Sequence, residues 1–128
     1  MNIPENLRYS KDHEWVLIEG NIATIGITDY AQQSLGDIVY VELPRVGDVF
    51  NAHDPCGSVE SVKAVSEVFT PVSGEVVEVN QELNESPDVV NKDPYGQAWM
   101  VKLKISDSTE VDSLMTASEY KEYLNNNT

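Results

Sequence analysis

The sequence predicts a mainly β sandwich or flattened barrel with short helices at its edges and a helix at its C-terminus. Short runs rich in β-branched and aromatic residues recur along most of the chain, and each is closed by Gly, Pro, Asn or Asp. A change to helical capping and spacing follows only near the end. No domain linker or solenoid-length repeat interrupts this pattern, so one domain is expected over residues 1–128, with a core over about 7–105 and a helical tail over about 106–124.

Residues 15–18 and 22–27 flank Glu19-Gly20-Asn21, a hairpin signal. Thr28, Asp29 and Gly36 mark a helix over 29–35: the hydroxyl caps free amides, the carboxylate suits the positive end, and glycine suits the left-handed stop. A polar loop is the alternative there. In 38–43, Tyr40 and Glu42 alternate with Val39, Val41 and Leu43 before Pro44 and Gly47 turn the chain. Val49-Phe50, 59–69, 74–79 and 98–105 supply further strands, while 80–96, with Pro87 and Pro94, reads as a long loop. Ser106 opens a helical signal, and Thr116-Ala117-Ser118-Glu119 is a capping box for a last helix. Tyr120, Tyr123 and Leu124 form its packing face, and 125–128 are expected to fray. Gly36-Asp37-Ile38-Val39 and Gly74-Glu75-Val76-Val77 share a pattern of glycine, acid and two apolar residues, a match that chance alone can produce.

Composition narrows the function. With Lys+Arg 8 against Asp+Glu 22, the net charge is −14, and no basic cluster exists to hold nucleic acid or an anionic membrane. Acidity either serves solubility or steers the chain to basic protein faces. The single Cys56 excludes an internal disulfide framework. The N-terminus lacks the features of a secretory or transit segment, and no apolar run approaches the roughly 20 residues of a bilayer span. A cytoplasmic protein is expected, or an organelle-matrix one if a presequence has been removed.

The segment Val59-Glu60-Ser61-Val62-Lys63-Ala64-Val65-Ser66-Glu67-Val68 is a palindrome about Lys63-Ala64. A two-residue hairpin there would set Val62 against Val65, Ser61 against Ser66 and Glu60 against Glu67. The last pair places like charges opposite each other, and the turn lacks the Asn-Gly or Asp-Gly that short hairpins favour. Broken local rules point to function, and a lysine at a hairpin tip is open to an acylating enzyme. On physics alone, an ordinary solvated turn lysine is the commoner explanation.

Glu60-Ser61-Val62-Lys63-Ala64 resembles the lipoyl-attachment motif of the glycine cleavage H proteins. His13-Glu14-Trp15-Val16, Ala23-Thr24-Ile25-Gly26-Ile27-Thr28, Val41-Glu42-Leu43-Pro44, Ser73-Gly74-Glu75-Val76 and Pro94-Tyr95-Gly96 through Trp99-Met100-Val101-Lys102 resemble that family's signatures in order, over roughly 7–123. The resemblance implies a lipoyl/biotinyl-domain-like fold of two antiparallel sheets with pseudo-twofold symmetry. It also implies lipoate in amide linkage to Lys63. The implied partners are glycine decarboxylase (the P protein, a pyridoxal-phosphate enzyme), the tetrahydrofolate-dependent aminomethyltransferase (T protein), the flavoprotein dihydrolipoyl dehydrogenase (L protein) and a lipoate-attaching enzyme. Such a chain is a carrier and no enzyme, and a monomer is the default.

The residues agree in offering no catalytic set. His13 and His53 accompany no nucleophile signature, and His53-Asp54-Pro55-Cys56 reads as a turn with no second ligand pair, so no metal is expected. Glu14, Glu67 and, more weakly, Asp12 are candidates for a groove that holds the cationic loaded arm against water; ordinary surface acids are the alternative. A biotin carrier would ordinarily flank its lysine with methionines, where Val62 and Ala64 stand here. A lipoyl domain of a 2-oxo acid dehydrogenase would be shorter and carry a linker. A paralogue that relays lipoate to other proteins has no distinguishing residue.

Overall fold

A computed structural model describes residues 1–127. Nine strands form two antiparallel sheets, and they do not close into a barrel. The larger sheet has the order β1 (Arg8–Tyr9), β2 (Glu14–Glu19), β3 (Ile22–Ile27), β9 (Val101–Ile105), β8 (Gly74–Val79) and β5 (Val49–Phe50). The smaller has β4 (Ile38–Glu42), β6 (Pro55–Ser61) and β7 (Val65–Phe69). Val16, Ile25, Val76 and Leu103 of the first meet Ile38, Val41, Val59 and Val68 of the second in one core. Alternation along β2 serves both faces of the larger sheet. Val16 enters that core, while Trp15 enters a second cluster with Leu7, Tyr9, Tyr120 and Leu124. Gly26 lies opposite Trp15, and a β-carbon there would sit 2.7 Å from the indole, so only glycine lets the ring cross β3.

The expected helix is α1, Asp29–Leu35, with Thr28 Oγ1 accepting from Ala31 N and Gly36 at φ 84° donating to Gln32 O. The capping box opens α4 (Ala117–Asn127): Glu119 N donates to Thr116 Oγ1 at 3.2 Å and Thr116 N to Glu119 Oε1 at 2.9 Å. Residues 125–127 continue that helix where fraying was expected, and Thr128 lies outside the described residues. The helical signal at Ser106 becomes a 3-10 turn, Ser108–Ser113, capped by Asp107.

The loop expected over 80–96 contains α2 (Glu82–Glu85) and α3 (Val89–Lys92), each a single turn anchored by one buried residue, Leu83 or Val90. Its asparagines cover the free edge of β4. Asn84 Nδ2 donates to Val41 O at 2.7 Å, and Asn91 Oδ1 accepts from Ile38 N at 2.9 Å. These side chains replace the missing neighbouring strand and block edge-to-edge pairing. No helix of the described residues is long and apolar enough to cross a membrane.

The Gly-acid repeat is structural. It opens β4 and β8, one in each sheet, and each ladder shifts by one residue at the same place: between Ile38 and Tyr40, and between Val76 and Glu78. Val39 and Val77 are the extra residues, both exposed, while Ile38 and Val76 before them are buried. β4 and β8 share this bulge although their sheets hold three and six strands.

Candidate functional site

Lys63 sits at the tip of the β6–β7 hairpin and is exposed. The register differs from the palindromic one by moving the turn one residue back. Ser61 N donates to Ala64 O at 2.8 Å, so Val62 and Lys63 are the central residues. Val65 then faces Glu60, Ser66 faces Val59, and Glu67 faces Ser58. The Glu60–Glu67 clash is avoided. Ser61 occupies the first turn position, where its buried hydroxyl accepts from Lys63 N (3.2 Å) and Ala64 N (3.0 Å) and donates to Ala64 O (3.2 Å). Val62 N donates to Asp37 O, which ties the tip to the start of β4.

The Lys63 stem leans toward the end of α1: its Cε lies 3.8 Å from where a β-carbon on Gly36 would stand. Among the described residues Lys63 enters no ion pair, so no carboxylate competes for its amine. Gly36 and Asp37 therefore frame the tip, a role that their repeat pattern in the sequence did not specify.

The three candidate groove acids differ in exposure. Glu14 is buried, on the same face of β2 as Val16. One carboxylate oxygen accepts from the Ser10 hydroxyl and the other from Phe69 N of β7 at 3.2 Å. Burial pushes its pKa up to about 7, against the lowering effect of these two hydrogen bonds, and the nearby Asp12 charge adds to the rise. Asp12 is exposed beside it. Glu67 is exposed on the hairpin, its side chain joining no hydrogen bond or ion pair among the described residues. The Ser10 and Phe69 contacts hold the Glu14 carboxylate between the sheets.

His13 adopts φ 68°, and its Nδ1 lies 2.8 Å from the Tyr120 hydroxyl, with burial lowering its pKa. That hydroxyl is also 2.8 Å from Thr28 Oγ1, so the turn before β2, α1 and α4 meet at one point. His53 is exposed and Cys56 buried. Burial, then the neighbouring Glu14, push the Cys56 thiol up to about 12, which leaves it an inert core side chain at neutral pH.

Two packed antiparallel sheets that lift a lysine on a tight hairpin define a protein of the lipoyl/biotinyl-domain-like class. The glycine cleavage H-protein family profile matches residues 7–127, and the chain belongs to that family. It is 58% identical over 125 residues to the glycine cleavage system H protein of Anoxybacillus flavithermus, covering 98% of each chain. With the H protein of Staphylococcus haemolyticus it shares 59% over 124 residues, 97% of this chain and 98% of that one. The crystal structure of a glycine cleavage system H protein from Mycobacterium marinum superposes with a TM-score of 0.86 at 40% identity, covering 98% of both chains.

Proposed function

We propose that residues 1–128 act as one lipoyl-carrier domain of the glycine cleavage system, with lipoate attached to Lys63. The observation that carries this reading is an exposed lysine, in no ion pair among the described residues, on a turn that Ser61 ties by hydrogen bonds. To be acylated, the amine sheds a proton and attacks an activated lipoyl carboxyl. The C–N bond forms as the activating group departs with its electron pair. When bound, lipoate supplies a dithiolane that carries an aminomethyl unit and electrons from glycine decarboxylase to the aminomethyltransferase and dihydrolipoyl dehydrogenase. The chain itself positions and tethers; it is no enzyme, and it works as a monomer in the cytoplasm or an organelle matrix.

Glu14, flanked by Asp12, with Glu67 further along the chain, is our candidate for holding the cationic cargo. A buried carboxylate with a raised pKa gains most from an arriving ammonium, provided that the Ser10 and Phe69 contacts give way.

Intact mass and peptide mapping after incubation with a lipoate-attaching enzyme test the assignment. One lipoyl group on Lys63, lost in Lys63→Arg, is expected; biotin, or lipoate on another lysine, would defeat it. In the loaded protein, Glu14→Ala with Glu67→Ala should speed release of formaldehyde and ammonia, and unchanged decay removes the acids from this role.

A further inference from the structure

The outer side of the smaller sheet carries an apolar patch that the fold does not need. Register places Tyr40 beside Glu60 and Glu60 beside Val65 in one row across β4, β6 and β7. The bulge in β4 adds Val39, so two successive side chains of one strand are exposed, 51% and 49%. Val62 and Val65, on either side of the tip, are 72% and 65% exposed. Clustered apolar exposure of this kind marks a contact surface. The next row, Glu42, Ser58 and Glu67, is polar and acidic, so the patch has an acidic margin.

We propose that this patch is the docking surface for the enzyme that acylates Lys63, whose matching face is apolar with a rim of Lys and Arg. The inference rests on the carrier reading above. Reach selects the occupant. Before modification the amine extends only the length of a four-carbon stem from the hairpin, so the acylating active site must close over the tip. Val62 and Val65 then lie under that enzyme, and Tyr40 lies one strand beyond. Partners that meet the longer lipoyl arm are under no such constraint. Tyr40 supplies the rigid aromatic anchor that such interfaces concentrate their energy in, while Glu42 and Glu67 on the margin attract the basic rim.

The experiment measures lipoate attachment to the full chain by mass spectrometry, at limiting and at saturating protein. The substrates are the parent, Val39→Ser with Tyr40→Ser, Glu42→Gln with Glu67→Gln, and Val49→Ser at the far edge of the larger sheet. The Val39/Tyr40 variant should lose about tenfold in kcat/KM, chiefly through KM, and still reach full modification on long incubation. The glutamine variant should lose several-fold at low salt and little at high salt. Val49→Ser should match the parent. Parent-like kcat/KM in the Val39/Tyr40 variant overturns the surface, as does an equal loss in Val49→Ser. A parent dimer that the Val39/Tyr40 variant converts to monomer by light scattering also overturns it, because the patch would then join two copies. A parent left unmodified at Lys63 refutes the carrier reading instead.

Discussion

Ser61 is half of the reason that Lys63 is presented as it is. Its hydroxyl satisfies the amide of Lys63, which an ordinary two-residue turn would leave to water, and takes that of Ala64 as well, from a buried position. Ser61→Ala removes the one acceptor that both amides share, so a loss of about 1 kcal/mol is expected in urea unfolding. Amide exchange at Lys63 and Ala64 should rise while Val59 and Val68 stay protected. Unchanged exchange at the tip would show that the backbone holds the turn unaided. The place of Lys63 at a hairpin tip was legible in the sequence, but the register was not. The palindrome matches side chains like for like, whereas the ladder is decided by repulsion between Glu60 and Glu67 and by the preference of serine for the first turn position. Both forces are local, and weighing them against the symmetry would have favoured the observed turn.

At the level of elements, boundaries were legible where capping chemistry is explicit and were missed where tertiary contacts decide. Thr28, Gly36 and the Thr116–Glu119 box fix α1 and the start of α4 because each satisfies orphan backbone groups by itself. The single turns α2 and α3 have no side-chain cap bonds and hold through Leu83 and Val90 in the core, with Asn84 and Asn91 on β4. Such contacts have no periodicity to read in a 17-residue stretch. The caps also interact across elements. Tyr120 of α4 bridges Thr28 of α1 and His13 before β2, so the two helices are not independent. Thr28→Val and Tyr120→Phe should each cost about 1–2 kcal/mol, and the double variant should cost less than their sum by at least about 0.5 kcal/mol. Strict additivity in a urea double-mutant cycle would separate the cap from the bridge.

Across the whole molecule, Glu14 is the polar tie between the sheets: it belongs to β2 of the larger, and its carboxylate accepts from Phe69 N in the smaller, arm-bearing one. Its neighbours Val16 and Cys56 are apolar or inert, so little solvent compensates its charge. The folded-state pKa, about 7, lies above the ordinary 4.5, so between these values the folded protein holds a proton that the unfolded chain has released. Stability from this group is therefore fully present below pH 4.5 and is lost as the pH rises to about 7. Glu14→Gln keeps an acceptor for Phe69 N and cannot ionise. The stability of the parent minus that of this variant should fall by no more than about 3 kcal/mol from about pH 5 to about pH 8, and then level off. Subtraction cancels the growing self-repulsion of a chain with net charge −14, which both proteins share apart from this one group. Parallel stability curves over that range would place the Glu14 carboxylate in solvent and dissolve the tie. A difference that falls, accompanied by exchange at the Phe69 amide that rises with pH more steeply in the parent than in Glu14→Gln, would show the hairpin sheet loosening from its partner as the charge develops.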